Sequence, residues 1–431
     1  MTSKLFIKST FLFFSLLIVY CGSNKKQNLQ TTAEKDTITT KATSEILAFK
    51  TGAENYESYL PLLKSKKVGV VTNQTGIISF QEFFAIKNNT NTGSDKGVRV
   101  IQKSIVDFFI EKNINVQKIY APEHGFRGTA DAGELIIDGK DTKTGLPIIS
   151  LYGNNKKPKV EQLKGIEVMV FDLQDVGARF YTYISSLHYV MEACAENNIK
   201  LIVLDRPNPN GELVDGPILE KEHKSFVGMH EIPVLHGMTI GEYAKMINGE
   251  KWLSNGIQCD LAVIPCGNYT HEMKYNLPVK PSPNLPNDQS INLYASLCFF
   301  EGTNVSLGRG TEKQFQIYGS PFLSKTVFNF SFTPQPNFGA KDPVHNGKFC
   351  FGEDLTKTKR VNRLELEWLL KAYQNTSDKT VFFNDFFTKL AGTKKLREQI
   401  EADLTEDAIR KTWTIGLEKF KGVRAKYLIY E

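Results

Sequence analysis

The sequence predicts an α/β protein in which a domain with a mostly parallel sheet is followed by a smaller α+β domain. From about Ser65 onward, short apolar and β-branched runs alternate with segments whose apolar residues recur at helical spacing. This alternation is typical of βαβ units. Polar residues stand directly after successive apolar runs, where strands of such a sheet would end. The 431 residues, 41% of them hydrophobic, suffice for two globular domains.

The predicted elements of the first domain follow from local patterns. Helical spacing marks a face from Val98 to Phe109 and another from Ile184 to Cys194, and Thr239–Asn248 is a predicted helix that opens on a threonine cap. The predicted strands are Lys67–Thr72, Val116–Tyr120, Ile166–Phe171, Lys200–Leu204, Ile232–Leu235 and Leu261–Ile264.

A proline-rich passage, Leu277–Asn287, separates the two parts of the chain. Its prolines favour an extended path, so we expect a sheet domain over residues 46–280 and a second domain over 281–431 that completes a cleft. In the second part, helices are predicted around Ser290–Phe300, Leu364–Tyr373, Phe383–Leu390 and Ile409–Phe420, and strands at Phe328–Phe332 and Lys348–Phe351.

Residues 1–21 have the pattern of a targeting segment. A lysine-containing start precedes the apolar run Phe11–Tyr20, which is about half as long as a membrane-spanning helix needs to be. Ile18–Cys21 resembles a bacterial lipoprotein cleavage box, except that Tyr20 stands where a small residue is usual. We therefore expect export and lipidation at Cys21, giving a periplasmic or outer-membrane lipoprotein. A plain cleaved signal peptide is the alternative.

Composition and the absence of known motifs limit the partners, metals and cofactors that the protein is expected to bind. Residues 22–45 are polar and predict a flexible tether. The net charge of +6 is mild and no Lys/Arg block is dense, so no nucleic-acid partner is expected. Five cysteines beyond Cys21 contain no CxxC pair, which favours buried thiols over disulfides or a zinc site. The GxSxG, HExxH, P-loop and GxGxxG motifs are absent, and no metal or cofactor is expected.

Polar residues cluster where five predicted strands end. Because the carboxyl ends of parallel strands share one edge of a sheet, we expect these side chains to form a single ligand-binding rim. They are Asn73 and Gln74, Glu123 and His124, Asp172 and Asp175, Asp205 and Arg206, and His236.

Within this rim, the stretch Ala121–Gly128 places a glutamate, a histidine and an arginine within five residues. Carboxylates, amides and aromatic side chains together suit a polyhydroxylated ligand, and glycosidic cleavage commonly uses two carboxyl groups. Glu123 is the natural acid, because the apolar strand before it favours burial and hence the protonated form. The alternative is a structural ion pair between Glu123 and Arg127.

The other catalytic candidates are Asp172 and Asp175, either of which could take the second carboxylate role. Each could instead hold Arg179 or cap a turn. His124 and His236 could bind ligand or orient a carboxylate, and a buried, satisfied histidine is the alternative for both.

Seven stretches together resemble the NamZ-like family of exo-β-N-acetylmuramidases, which are peptidoglycan hexosaminidases. The resemblance runs from about Lys66 to the carboxyl terminus. It implies a Rossmann-like amino-terminal domain, a smaller carboxy-terminal domain, and release of N-acetylmuramic acid from non-reducing ends of peptide-free cell-wall fragments, with the catalytic glutamate at Glu123. The stretches are Val70–Gly76, Pro122–Gly128, Asp172–Tyr183, Asp205–Gly211, Lys280–Pro286, Phe300–Asn304 and Gly308–Gly310.

N-acetylmuramic acid carries a lactyl carboxylate, so its pocket should hold an arginine that can bind it through two hydrogen bonds. Arg127, Arg179, Arg206 and Arg309 are the candidates, and a retaining, an inverting and a substrate-assisted mechanism all stay open. The predicted substrate-binding residues are Asn73, Gln74, His124, Arg127, Arg179, Tyr181, Arg206, Asn208, His236, Asn284, Glu301 and Arg309.

The expected partners are muramyl saccharides derived from peptidoglycan, and the membrane through a lipid anchor only. Two other functions are compatible with the residues. One is a non-catalytic surface lipoprotein that binds cell-wall glycans. The other is a metal-dependent hydrolase that uses His124, Asp175 and His236, whose spacing matches no established metal-ligand pattern.

Overall fold

A seven-stranded sheet forms the centre of the first part of the chain. The computed structural model describes residues 49–86, 95–127 and 138–431. The predicted targeting segment 1–21 with Cys21, the tether 22–45, and Gly128 of the glutamate motif lie outside the described residues. Residues Leu47–Glu431 belong to one compact unit, and the predicted division of this unit at residue 280 stays a prediction.

The secondary-structure elements are numbered in chain order. The strands are β1 Lys67–Thr72, β2 Ile77–Ile86, β3 Asp95–Ser104, β4 Asn115–Ala121, β5 Gly139–Lys140, β6 Pro147–Ser150, β7 Val168–Asp172, β8 Lys200–Leu204, β9 Val214–Asp215, β10 Leu235–His236, β11 Leu261–Ile264, β12 Ile317–Ser320, β13 Phe330–Phe332 and β14 Cys350–Asp354. The α-helices are α1 Tyr56–Leu63, α2 Ile105–Glu111, α3 Val160–Leu163, α4 Tyr183–Glu196, α5 Ile240–Gly249, α6 Asp288–Leu297, α7 Glu367–Gln374, α8 Phe386–Ala391, α9 Lys395–Glu401, α10 Glu406–Lys411 and α11 Thr414–Arg424.

The main sheet has the strand order β11-β8-β7-β1-β4-β6-β5. All its neighbouring strands are parallel except β5, which runs antiparallel to β6. Read from β6, the parallel strands follow the 3-2-1-4-5-6 order of a doubly wound sheet. The predicted fold class is therefore confirmed. In this order the chain reverses direction across the sheet between β1 and β7, which is where such folds usually open a crevice for ligands.

Alternation along the buried strands produces two apolar layers, one on each face of the sheet. Val71 and Phe171 belong to the layer that includes α4 and α5. Val70 and Val170, one residue earlier, belong to the layer that includes α1 and α2. Successive strand residues point to opposite faces, so a strand buried on both faces is apolar throughout, as all of β7 before Asp172 is.

The second part of the chain contains a three-stranded antiparallel sheet with the order β12-β14-β13, followed by α7 to α11. The carboxyl terminus then returns to the main sheet. Tyr430 donates its hydroxyl to Asp205 Oδ2 at 2.6 Å, and the same hydroxyl accepts from the Cys266 amide at 2.8 Å. The last residues therefore stabilise the end of β8 and the segment after β11.

Three predicted elements were wrong. Val98–Ser104 belongs to β3, which pairs antiparallel with β2, and the helix begins only after Ser104, whose hydroxyl caps it. Ile232–Leu235 is not a strand of the main sheet, because only Leu235–His236 is extended and it pairs with β9. The predicted helix Ile409–Phe420 is interrupted near Thr412 and divides into α10 and α11.

Two further observations concern the environment of the chain. In residues 49–86, 95–127 and 138–431 we find no helix that is both long and apolar enough to cross a membrane. Cys194, Cys259, Cys266, Cys298 and Cys350 are buried free thiols, as the sequence predicts.

Candidate active site

A cavity of about 800 Å³ lies next to the ends of β4 and β6 and is closed by residues of the second part of the chain. Its apolar surface comes mainly from aromatic rings, and its polar groups include three carboxylates, an arginine and a lysine. The first part of the chain contributes Glu123, His124, Tyr152, Phe180–Tyr183, Phe226 and Val227, and the proline-rich passage contributes Ser282, Asn284 and Leu285. The second part contributes Tyr294, Phe300, Glu301, Thr303, Val305–Leu307, Arg309, Phe315, Gly339–Val344 and Phe386.

Glu123 stands two residues after β4 ends and is held by two hydroxyl groups. Tyr152 Oη donates to its Oε1 at 3.0 Å, and Thr182 Oγ1 donates to its Oε2 at 2.9 Å. Burial and the neighbouring charge of Glu123 raise the pKa of Tyr152. Because each carboxylate oxygen has its own donor, the carboxyl group has a defined orientation on the cavity wall.

The backbone turns sharply directly after Glu123. His124 and Gly125 both have left-handed conformations, with φ of 72° and 73°. A left-handed conformation is costly for a residue other than glycine, and such residues cluster at functional sites. The turn keeps the His124 side chain buried against the cavity that Glu123 also lines.

Aromatic rings extend across the cavity wall from Glu123. Tyr183 and Tyr181 are 4.8 Å apart, Tyr181 and Tyr294 are 5.8 Å apart, and Tyr294 and Phe315 are 5.1 Å apart, measured between ring centroids. Tyr183 Oη reaches the backbone oxygen of Glu123 at 3.4 Å. The wall offers apolar faces on which a sugar ring can pack.

Arg309 and Glu301 are at the far end of this aromatic wall. Arg309 Nη2 lies 2.6 Å from Glu301 Oε1, and its guanidinium carbon lies 5.1 Å from the centroid of the Phe315 ring. About a quarter of each charged side chain is exposed, 25% for Arg309 and 27% for Glu301. The Arg309 guanidinium is therefore partly exposed at the cavity surface, where the Phe315 ring supports one of its faces.

The proline-rich passage also closes the cavity. Gln74 Nε2 donates to the carbonyls of Lys280 and Pro281, and Tyr181 Oη donates to the Pro281 carbonyl at 2.8 Å. Asn284 Nδ2 donates to the Gly339 carbonyl at 2.7 Å, which links the passage to the loop opposite.

The structure brings six of the fifteen predicted site residues together on the cavity wall and leaves nine outside its lining. The six are Glu123, His124, Tyr181, Asn284, Glu301 and Arg309. The nine are Asn73, Gln74, Arg127, Asp172, Asp175, Arg179, Arg206, Asn208 and His236.

Asp172 is outside the cavity because the crevice at the switch between β1 and β7 is filled by protein. Its Oδ1 lies 2.6 Å from Arg206 Nε, and neither side chain is exposed by more than 2%. Burial raises the pKa of Asp172, and the Arg206 charge opposes that shift. Nearby, a Cβ at Gly76 would lie 1.9 Å from Thr72 Oγ1, so the Thr72 side chain packs directly against the backbone of Gly76.

Asp175 and His236 form a second buried group outside the cavity lining. Asp175 Oδ2 accepts from the Gly177 amide at 2.7 Å and lies 3.6 Å from His236 Nε2. Asn73, also buried, donates to Tyr183 Oη at 2.6 Å. These side chains can support the aromatic wall but do not line the cavity.

Two of the predicted arginines have protein partners instead of access to the cavity. Arg127 pairs with Asp141, with Nη2 2.9 Å from both carboxylate oxygens. The buried Arg179 donates to four backbone carbonyls, those of Pro217 and Ile232 and, at the end of α8, those of Leu390 and Ala391. Burial lowers the pKa of Arg179 to about 9. Arg179 therefore connects the two parts of the chain.

Asn208 is likewise buried within the fold. Its Nδ2 donates to the Met238 carbonyl at 3.0 Å, and its Oδ1 accepts from the Asn210 amide at 2.9 Å.

Sequence reasoning missed several residues of the cavity, above all the two hydroxyl partners of Glu123. Tyr152 follows β6 by two residues, so it would have been found had Pro147–Ser150 been recognised as a strand. Thr182 lies within the Asp172–Tyr183 motif, in which the charged and aromatic residues are the more obvious candidates for a binding site. Tyr294 and Asp342 had no local signal, because only the folded chain brings them to the cavity.

A metal-binding arrangement of the predicted kind is not found in the described ranges. Within those ranges, the one group of three potential ligands whose atoms lie within 4.8 Å of one another is Glu220, Glu222 and His223, which is remote from the cavity lining. The set proposed from sequence, His124, Asp175 and His236, is not such a group.

Two family models match the chain, and both are described as exo-β-N-acetylmuramidase NamZ. The N-terminal model matches residues 68–289 and the C-terminal model matches residues 292–430. The chain is also 38% identical over 394 residues to the peptidoglycan β-N-acetylmuramidase NamZ of Bacillus subtilis, an alignment that covers 86% of this chain and 89% of that protein.

Two solved structures of DUF1343 family proteins from Bacteroides fragilis are similar to this fold. One has a TM-score of 0.77 at 42% identity and the other a TM-score of 0.70 at 29% identity. Each comparison covers 89% of this chain and 99% of the other. Both walls of the cavity fall within the matched regions, since Glu123 lies in the N-terminal match and Arg309 in the C-terminal one.

Proposed function

Because the chain belongs to the NamZ family of exo-β-N-acetylmuramidases, we propose that it is an exo-acting glycoside hydrolase. It releases N-acetylmuramic acid from the non-reducing ends of peptidoglycan fragments, and so takes part in cell-wall turnover. The single observation that best supports this proposal is Glu123 on the wall of a large, aromatic-lined cavity, with a hydroxyl donor on each carboxylate oxygen.

In the proposed reaction, Glu123 is the general acid. Its carboxyl group gives a proton to the oxygen of the glycosidic bond as that bond breaks, and a water molecule completes the hydrolysis. Thr182 and Tyr152 hold the carboxyl group in place and stabilise the negative charge that remains on it. The aromatic wall packs against the apolar face of the sugar.

A second group must stabilise the positive charge that develops at the anomeric carbon. Glu301 and Asp342 are the other carboxylates that line the cavity, and Asp172 and Asp175 are excluded from direct contact there by their burial. The anomer first released, observed by proton NMR, distinguishes inversion from retention, and a thiazoline-type inhibitor tests whether the acetamido group of the substrate participates.

The proposal is tested with a 4-nitrophenyl β-N-acetylmuramide and the corresponding β-N-acetylglucosaminide. We expect turnover of the muramide by the wild-type chain and, for Glu123→Gln acting on a natural muramyl disaccharide, a loss of about 100- to 10,000-fold in kcat with substrate binding retained. Glu161→Gln, on the exposed surface of α3, is the matched control. Binding without turnover by the wild-type chain would instead support a glycan-binding lipoprotein, and inhibition by a chelator would support a metal-dependent hydrolase.

We also propose that the chain is exported and anchored through a lipid on Cys21. The argument rests on the charged start, the short apolar run and the cysteine directly after it. Labelling with a radioactive fatty acid in the native host should mark the wild-type chain, and Cys21→Ala should be unlabelled and recovered in the soluble fraction. A labelled Cys21→Ala chain would contradict the proposal.

A further inference from the structure

Arg309 is the arginine that the structure brings to the cavity surface. The other three arginines considered from sequence do not line the cavity: Arg127 pairs with Asp141, Arg206 pairs with Asp172, and Arg179 donates to backbone carbonyls. Muramic acid differs from glucosamine by a lactyl ether at O3, whose carboxylate is negative at neutral pH. Removing that carboxylate from water is costly unless a cation receives it.

Much of the hydrogen-bonding capacity of Arg309 is unused. A guanidinium carries five N–H donors, and within the described part of the chain the one acceptor bonded to Arg309 is Glu301 Oε1, at 2.6 Å from Nη2. Donors on Nε and Nη1 are therefore available for a second carboxylate. Glu301 and the Phe315 ring fix the plane of the guanidinium from two sides, so little flexibility has to be lost when a ligand binds.

The position of Arg309 also suits the substrate. The aromatic wall leads from Tyr183, which contacts Glu123, through Tyr294 to Phe315, which supports Arg309. A sugar ring on this wall with its anomeric carbon toward Glu123 directs other substituents toward the opposite end. The acid and the cation thus lie at opposite ends of one row of aromatic rings.

On the basis of the proposed function, we propose that Arg309 binds the lactyl carboxylate of the terminal N-acetylmuramic acid. Glu301 is the positioning residue that orients the guanidinium. Together they set the preference for muramic acid over glucosamine at the end of the glycan chain. The competing cation is Lys341, an exposed residue on the opposite loop of the cavity, which lacks the planar, two-donor geometry that matches a carboxylate.

The experiment compares three substrates that differ in one group: the 4-nitrophenyl β-N-acetylmuramide, its lactyl methyl ester, which is neutral, and the β-N-acetylglucosaminide. We expect Arg309→Gln to lower kcat/KM for the muramide by about 100-fold, since hydrogen bonds to a charged group are the strong ones. The same variant should change kcat/KM for the ester and the glucosaminide by less than about threefold. Arg397→Gln, on α9 outside the cavity lining, is the matched control and should leave kcat/KM unchanged for all three substrates.

Direct binding makes the test independent of turnover. Calorimetry with free N-acetylmuramic acid and its methyl ester should show that the wild-type chain prefers the acid and that Arg309→Gln does not. Arg309→Lys keeps the positive charge but lacks the planar pair of N–H donors, so it should recover part of the preference for the acid over the ester. Thermal melting of each variant identifies a folding defect, which would weaken binding of acid and ester alike.

Equal losses for all three substrates in Arg309→Gln would overturn the assignment, as would an unchanged preference for the acid. Loss of the preference in Lys341→Gln but not in Arg309→Gln would transfer the role to Lys341. Failure of the wild-type chain to hydrolyse any of the glycosides would count against the proposed function, whereas the binding preference would still report on Arg309.

Discussion

The two hydroxyls that hold Glu123 provide the sharpest test of the proposed acid. Thr182→Val and Tyr152→Phe each remove one donor from one carboxylate oxygen, at 2.9 and 3.0 Å respectively. In the proposed reaction, negative charge grows on the Glu123 carboxyl oxygens as the proton leaves them. Both hydrogen bonds therefore strengthen in the transition state, and their loss should lower kcat more than it raises KM.

The expected magnitude follows from the charge. A hydrogen bond to an ionised group contributes about 1.5–3 kcal/mol, and each 1.36 kcal/mol is about tenfold in rate. Each single variant should therefore lose about 10- to 150-fold in kcat. The double variant should lose less than the product of the two, because both donors act on one carboxylate.

The assay compares two leaving groups on the same muramide. A 2,4-dinitrophenolate departs without protonation, so its release should be almost unaffected in Thr182→Val and Tyr152→Phe, whereas release of a natural sugar, which needs the proton to leave, should fall by the full amount. Tyr56→Phe, in α1 away from the cavity, is the matched control. Equal losses with both leaving groups, or losses below about twofold, would refute the role of the hydroxyls in supporting an acid.

Three further predictions concern stability, measured by urea unfolding. Arg179→Met should lower the free energy of unfolding by about 3–5 kcal/mol, because it removes the buried charged donor that four backbone carbonyls share. A loss below about 1 kcal/mol would contradict its role in joining the two parts of the chain. Tyr430→Phe should cost about 2–4 kcal/mol. Burial raises the pKa of Asp205 to about 6 and the Tyr430 hydroxyl opposes that shift, so the loss should be larger at pH 8, where the carboxylate is charged, than at pH 5; a loss independent of pH would count against this pairing. Burial and the neighbouring Glu365 raise the pKa of Glu406 to about 7, so the folded chain retains a proton that the unfolded chain releases, and stability falls as pH rises from about 4.5 to 7. The free energy of unfolding of Glu406→Gln should therefore equal that of the wild type at pH 5 and exceed it by about 1 kcal/mol at pH 8. The same difference at both pH values would contradict the pairing of Glu406 with Glu365.

The fold was largely predictable because its main signals are local. The sequence predicts four strands with mostly apolar residues, β1, β4, β7 and β8, to within two residues of their observed bounds. The helix after Thr239 begins with the predicted cap, in which the Thr239 hydroxyl accepts from the Glu242 amide. The end of β3 was predicted as helix because Val98 and Ile101 continue at helical spacing into α2, and only the pairing of β3 with β2 decides the outcome.

The amino-acid pattern alone was sufficient to place Glu123 directly after an apolar strand, whereas the left-handed turn at His124 and Gly125 is a finding of the structure. The other predicted carboxylates follow strand ends too, but a strand end specifies only an edge of the sheet, not which part of that edge is open. The tertiary structure decided this, because Arg206 neutralises Asp172 and protein fills the crevice at the switch between β1 and β7. Arg309 and Glu301 become part of the same site as Glu123 only when the second part of the chain packs against the first, and local sequence patterns carry no information about contacts between segments so far apart.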